Sequence, residues 1–185
     1  GNFSGKPAGT TVPVGGVNKE IDYALGQGSN DVILSPPGAP AVILEGGELT
    51  ISLPSSGGSG TLTTSVSGGN LVISDGTTTT TIPLASLTGP VTILGNGGDE
   101  TINLGNLGTL SNPLVVDGGG GVDQVVFDNS VTAPTITVIA ETITVNSGMF
   151  VRTTAGDLTL TAANGVTING TVDSGANELA INADS

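Results

Sequence analysis

The chain has 185 residues, with 16 acidic side chains against three basic ones (Lys6, Lys19 and Arg152) and a formal net charge of -13. That balance argues against nucleic acid or an anionic membrane surface as partner, since like charges repel, and it favours bound cations. Aromatic residues make up 2% of the chain and cysteine is absent, so aliphatic side chains must fill any core and no disulfide framework exists.

Taken in order, residues 1–48 read as an irregular N-terminal arm or cap with two short strands. The stretch Asn18-Lys-Glu-Ile-Asp-Tyr-Ala24 is the one candidate for a helical turn. Val32-Ile-Leu34 and Val42-Ile-Leu44 are similar apolar runs ten residues apart, joined by a proline-rich connection, and are expected to pair. From Leu49 onward the alternation becomes regular. Strand-like runs begin at residues 49, 71, 91, 114, 136, 158 and 179, and a second series falls at Ile82, Ile102, Val125, Ile143 and Val166. Short strands recurring every 20 to 23 residues are the pattern of a β-solenoid. One coil cannot bury its inward side chains alone, whereas stacked coils bury a continuous aliphatic column. The expected fold is therefore all-β, a parallel β-helix of ~22-residue coils over residues 49–185. About seven coils would make a rod on the order of 30 Å long. The last run, 179–181, has no polar cap after it, and an uncapped strand edge invites pairing, so either more coils follow or subunits stack end to end. A homo-oligomer or filament is expected, joined through solenoid ends and the N-terminal strands.

Two glycine-acid loops, Gly95-Asn-Gly-Gly-Asp-Glu100 and Gly118-Gly-Gly-Gly-Val-Asp123, start 23 residues apart, so they should lie over each other in adjacent coils. Such turns suit any tight corner, because glycine accepts positive φ. The second loop also fits the nonapeptide GGxGxDxUx, with Gly118, Gly119, Gly121, Asp123 and Val125 in place. Here the chain resembles the RTX-type calcium-binding repeats of secreted bacterial proteins. The first loop is an imperfect copy, with Asn96 for the second glycine and Glu100 in the acidic position beside Asp99. The resemblance implies a Ca2+ site formed by Asp123, Asp117, Asp99 and Glu100 with the backbone of Gly97, Gly119 and Gly121. Calcium takes 6–8 oxygens in flexible geometry, which two stacked loops together could supply. RTX arrays repeat every nine residues on both sides of a roll, and this chain does not. Asp128 flanks the same region and is expected to cap a turn.

Further on, Gly156-Asp-Leu-Thr-Leu-Thr-Ala-Ala-Asn-Gly165-Val-Thr-Ile-Asn-Gly-Thr171 resembles the stalk repeats of large bacterial surface proteins of the filamentous-haemagglutinin kind. That likeness implies secretion to the bacterial cell surface and a structural role, as a self-associating filament or an adhesin stalk. Catalysis is not expected. The chain has no His and no Cys, which removes the usual triads and zinc sites. The alternatives are a carbohydrate-processing β-helix enzyme using a carboxylate pair, or a module that binds surface glycans without turnover. Phe127, Met149 and Phe150 are expected in the core or in coil-end packing. The Thr-x-Thr pairs at 135/137, 142/144 and 159/161 would lie on different faces, so they read as ordinary strand residues rather than an ice-binding ladder. Thr77 to Thr81 reads as exposed.

Overall fold

The computed structural model describes residues 10–14, 17–23, 32–35, 38–54 and 60–184. In chain order the first strands are β1 (Thr11–Val14), β2 (Val17–Tyr23) and β3 (Val32–Ser35), an antiparallel three-stranded sheet. Next come β4 (Ala41–Glu45) and β5 (Glu48–Ser52), an antiparallel hairpin. Strands β6 (Thr61–Ser67), β7 (Asn70–Ser74) and β8 (Thr79–Pro83) form an antiparallel meander, followed by a 3-10 turn at Leu84–Ser86.

The coils follow. The first has β9 (Val91–Asn96), β10 (Thr101–Leu104) and β11 (Gly108–Thr109). The second has β12 (Leu114–Gly119), β13 (Gln124–Phe127) and β14 (Val131–Ala133). The third has β15 (Ile136–Ala140), β16 (Thr142–Val145) and β17 (Phe150–Thr153). The fourth has β18 (Leu158–Ala162), β19 (Val166–Ile168) and β20 (Thr171–Asp173), and β21 (Leu179–Ala183) lies beyond it. Corresponding strands of successive coils pair in parallel, giving sheets ordered β21-β18-β15-β12-β9-β5-β4, β19-β16-β13-β10-β6-β7-β8 and β11-β14-β17-β20. The chain is thus a parallel β-solenoid of about 4 turns with coils of about 22 residues.

Its core is a set of aliphatic columns. Leu49, Val91, Leu114, Ile136, Leu158 and Leu179 occupy one register position, and Ile51, Ile93, Val116, Val138, Leu160 and Ile181 the next inward one. On the second sheet the columns are Leu62-Ile102-Val125-Ile143-Val166 and Thr64-Leu104-Phe127-Val145-Ile168. Branched side chains repeated at one register position stack on themselves, which is why a fixed period produces this fold. Pro90 and Pro113 sit just before strands, where their missing N–H breaks no ladder, and their carbonyls accept from Leu49 and Val91 of the preceding coil at 2.9 Å each.

Four expectations are corrected. The stretch beginning at Asn18 is not a helical turn but lies in strand β2, with Ala24 outside the described residues. Val32–Leu34 and Val42–Leu44 do not pair with each other; β3 pairs with β2, and β4 pairs with β5 across a two-residue turn. The run at 71–73 is not a coil strand. It is β7, antiparallel to β6 and β8, and Ile82 in β8 leaves its expected column position to Leu62. The seven expected coils therefore reduce to about 4. Lastly, Phe127 is fully buried and Met149 packs against the core, but Phe150 is 52% exposed.

Candidate functional site

The two glycine-acid loops lie over each other as their spacing requires, at the corner between the first and second sheets. Asn96 pairs in register with Gly119 and Thr101 with Gln124, so Glu100 falls level with Asp123. The backbone of one loop bonds the next: Gly120 N–H donates to Asn96 O at 2.7 Å and Gln124 N–H to Glu100 O at 2.8 Å. The coils approach so closely that side chains would not fit between them. A Cβ at Gly95 would overlap the Gly118 carbonyl, and one at Gly121 would overlap the Gly98 carbonyl. Gly121 also has φ +125°, so both space and backbone conformation require glycine there. Gly97 is exposed, and among the described residues no atom lies within 4 Å of a Cβ placed there.

The carboxylates serve backbone N–H groups from coil to coil. Asp99 Oδ1 accepts from Val122 N–H at 2.9 Å, Asp123 Oδ1 from Glu100 N–H at 2.8 Å, and a Glu141 carboxylate oxygen, Oε2, from Asp123 N–H at 2.8 Å. Glu100 Oε2 accepts from Asn96 N–H at 3.3 Å within its own loop. Asp117 closes a local turn by accepting from Gly119 N–H at 3.0 Å. Asp128, at the far end of β13, accepts from Asn146 Nδ2 at 2.6 Å and takes no part in this corner.

Glu100 and Asp123 stand apart from the rest, each only 1% exposed. Glu100 Oε1 and Asp123 Oδ2 are buried without a donor among the described residues. Burial, helped by the neighbouring Asp123 carboxyl, pushes Glu100 up to about 7, against a weaker opposing pull from the Asn96 N–H. Burial also raises Asp123, with Glu141 adding to the effect and the bonds from Glu100 opposing it. Two carboxyls this close and this dry cannot both carry charge cheaply, so a proton held between them or a cation beside them satisfies the pair. Among the described residues no three His, Cys, Asp or Glu side chains are grouped to hold a metal ion. Of the expected site residues, Glu100 and Asp123 carry the buried oxygens without a described donor, while Asp99 is exposed and Asp117 half-buried, and Glu141 lies one coil further along.

Glu141 enters this column although the loop motifs do not contain it. The signal was present: Glu100, Asp123 and Glu141 each stand two residues ahead of an inward aliphatic of the second series, Ile102, Val125 and Ile143. On the neighbouring surface a recess of ≈ 190 Å³ is lined by Glu141, Asp184, Ile139, Thr161 and Asn182 among others.

Fold and corner together define the class: a parallel β-solenoid with a buried acidic column at one of its corners. No protein-family model matches the chain, and searches of curated proteins and of solved structures likewise find no match.

Proposed function

We propose that the chain is a structural segment of a rod or filament at a bacterial cell surface, not a catalyst, and that calcium stiffens its acidic corner. One observation carries the rod. A single seven-stranded sheet has β21 at one edge and β4 at the other, so joining these edges between two copies would continue the same sheet. A contact of that head-to-tail kind generates a filament wherever its rotation does not close a ring. Leu179 is 43% exposed, Ile181 40% and Ile168 39%, and either a second copy or a further coil of the same chain would cover them. A part for Val42–Leu44 in assembly is supported by β4 being an edge strand with Leu44 exposed.

The RTX-like loops support calcium through two buried oxygens that have no donor among the described residues, Glu100 Oε1 and Asp123 Oδ2. The same burial keeps this carboxylate pair from a substrate, so the carbohydrate-processing alternative would need a different pair of acids. The stalk-like repeats of residues 156–171 and the acidic surface fit an extracellular setting. Sedimentation of the chain over a range of concentrations in calcium tests the proposal. The parent is expected to form species that grow with concentration, while Ile181→Lys and Leu44→Lys stay monomeric. A parent that remains monomeric throughout defeats it.

A further inference from the structure

The third sheet has an outward face that the fold does not explain. On β17, Val151 and Thr153 are buried, which leaves Phe150 and Arg152 pointing outward. Register puts Thr171 beside Phe150, and Phe150 N–H donates to Ser130 Oγ at 3.0 Å on the other side. Arg152 stands between Thr132 and Asp173. Its Nε and Nη2 reach Asp173 Oδ2 at 3.0 and 2.9 Å, with the two side chains 54% and 39% exposed. Asp173 Oδ1 accepts from Gly175 N–H at 2.8 Å. An ion pair this exposed adds little to stability, and a half-exposed phenyl ring forgoes much of the gain from burial.

The geometry points to a binding face for a neutral saccharide, centred on Phe150 and the Arg152–Asp173 pair. The ring offers a flat apolar surface for the C–H face of a sugar, and the ion pair beside it both donates to and accepts from hydroxyls. Ser130, Thr132 and Thr171 add hydroxyl groups around these two anchors. Outward neighbours lie roughly 6.8 Å apart along a strand and about 4.8 Å apart between strands, a scale that suits one or two sugar rings.

Size argues against a protein partner. The four strands of this sheet have 2, 3, 4 and 3 residues. At strand spacing the face is roughly 13 by 19 Å, so a protein partner would have to reach well beyond this sheet to bury the roughly 800 Å² of a stable complex, whereas one or two sugar rings fit within it. Charge argues against an acidic glycan. Arg152 is already neutralised by Asp173, and the net charge of -13 would repel an anionic chain. This inference does not rest on the filament proposal and can hold for a monomer.

The test is titration of the full chain with cellohexaose, xylohexaose, mannohexaose and a galacturonate hexamer, followed by backbone amide shifts and calorimetry. At least one neutral hexamer is expected to bind and to move amides of β14, β17 and β20. Its affinity should fall by about tenfold or more in Phe150→Ala and in Arg152→Ala, with unchanged melting temperatures, while Thr77→Ala binds like the parent. The inference is overturned if no neutral hexamer binds, if Phe150→Ala binds as tightly as the parent, or if the galacturonate is preferred. Loss of self-association in Phe150→Ala would overturn it too, by assigning the face to a second copy of the chain.

Discussion

Asp123 Oδ1 accepts the backbone N–H of Glu100 at 2.8 Å, joining residues 23 positions apart, while Asp123 Oδ2 is buried with no donor among the described residues. The carboxylate thus does two opposed things. It ties one coil to the next through a backbone bond, and it brings a second charge up to the buried Glu100 carboxyl. The corner is stable only to the extent that the second effect is neutralised, and pH sets that condition through the Glu100 carboxyl.

The pH dependence follows from the Glu100 carboxyl, raised from 4.5 to about 7. Below 4.5 the group is protonated whether the chain is folded or not, and it has no effect on stability. Between there and about 7 the unfolded chain releases the proton and the folded chain keeps it, so folding stability falls as pH rises. Above 7 both states are ionised and the loss is constant, up to about 3 kcal/mol at 1.36 kcal/mol per pKa unit. Asp123 is shifted in the same direction. At the acid end Asp75, held low by bonds from Thr77 and Thr78, loses its contribution as pH falls below 3.8. Melting temperature should therefore peak in mildly acidic buffer and decline toward pH 8. Glu100→Gln should flatten that decline and melt higher than the parent at pH 8; an equal decline in both proteins would remove Glu100 as its cause.

Calcium and the proton would compete for the same two carboxyls, which makes the metal reading separable from the fold. If the ion binds there, millimolar calcium should raise the melting temperature at pH 8 more than at pH 5, and EDTA should reverse the gain. Asp123→Asn should abolish most of the response, and Asp128→Asn should leave it intact, because Asp128 is engaged at the other end of β13. Melting curves identical with calcium and with EDTA at pH 8 would leave the shared proton as the pair's only counter-charge.

The glycines of one loop should divide sharply. A methyl at Gly95 meets the Gly118 carbonyl of the next coil, whereas a methyl at Gly97 meets no atom of the described residues within 4 Å. Neither has a positive φ, so the contrast isolates space from backbone conformation. Gly95→Ala is expected to cost about 3 kcal/mol or to prevent folding, since backbone atoms of the neighbouring coil must shift. Gly97→Ala should stay within about 0.5 kcal/mol of the parent. Comparable urea midpoints for the two would refute the close stacking of the loops.

How much of this was legible depends on whether the period survives. The column through 49, 91, 114, 136, 158 and 179 could be read directly, because inward aliphatics at one register position keep a nearly fixed interval. The run at 71–73 kept that interval by coincidence while the chain had reversed direction in a hairpin. Glu141 was missed because its coil is short, 18 residues after Asp123 where the preceding step is 23. Phe150 was misread because hydrophobicity favoured the core while parity did not. Val151 aligns with Val131 and Val172, and that alignment turns residue 150 outward. The buried carboxyl pair was visible only as two acids one coil apart, since a sequence shows neither the burial nor the missing donors.

The hairpin had a local marker, Ser67-Gly-Gly-Asn70, and the same pattern recurs at Glu45-Gly-Gly-Glu48. Gly68 and Gly69 have φ of 58° and 79°, and Gly46 and Gly47 have 58° and 88°, positive at both central positions of a two-residue turn. That conformation matches the twist of paired strands and is most often filled by Asn-Gly. No atom lies within 4 Å of a Cβ at Gly68, so a side chain there has room. Gly68→Asn should keep the turn and restrict the unfolded chain, leaving stability unchanged or raised by up to about 1 kcal/mol. Gly68→Val should lower it, because a β-branched residue resists positive φ. Gly47 gives the opposite result for any side chain, since its Cβ would overlap Thr88 Oγ1. Equal melting temperatures for Gly68→Asn and Gly68→Val would show that the turn is not of this type and would reopen the placement of β7.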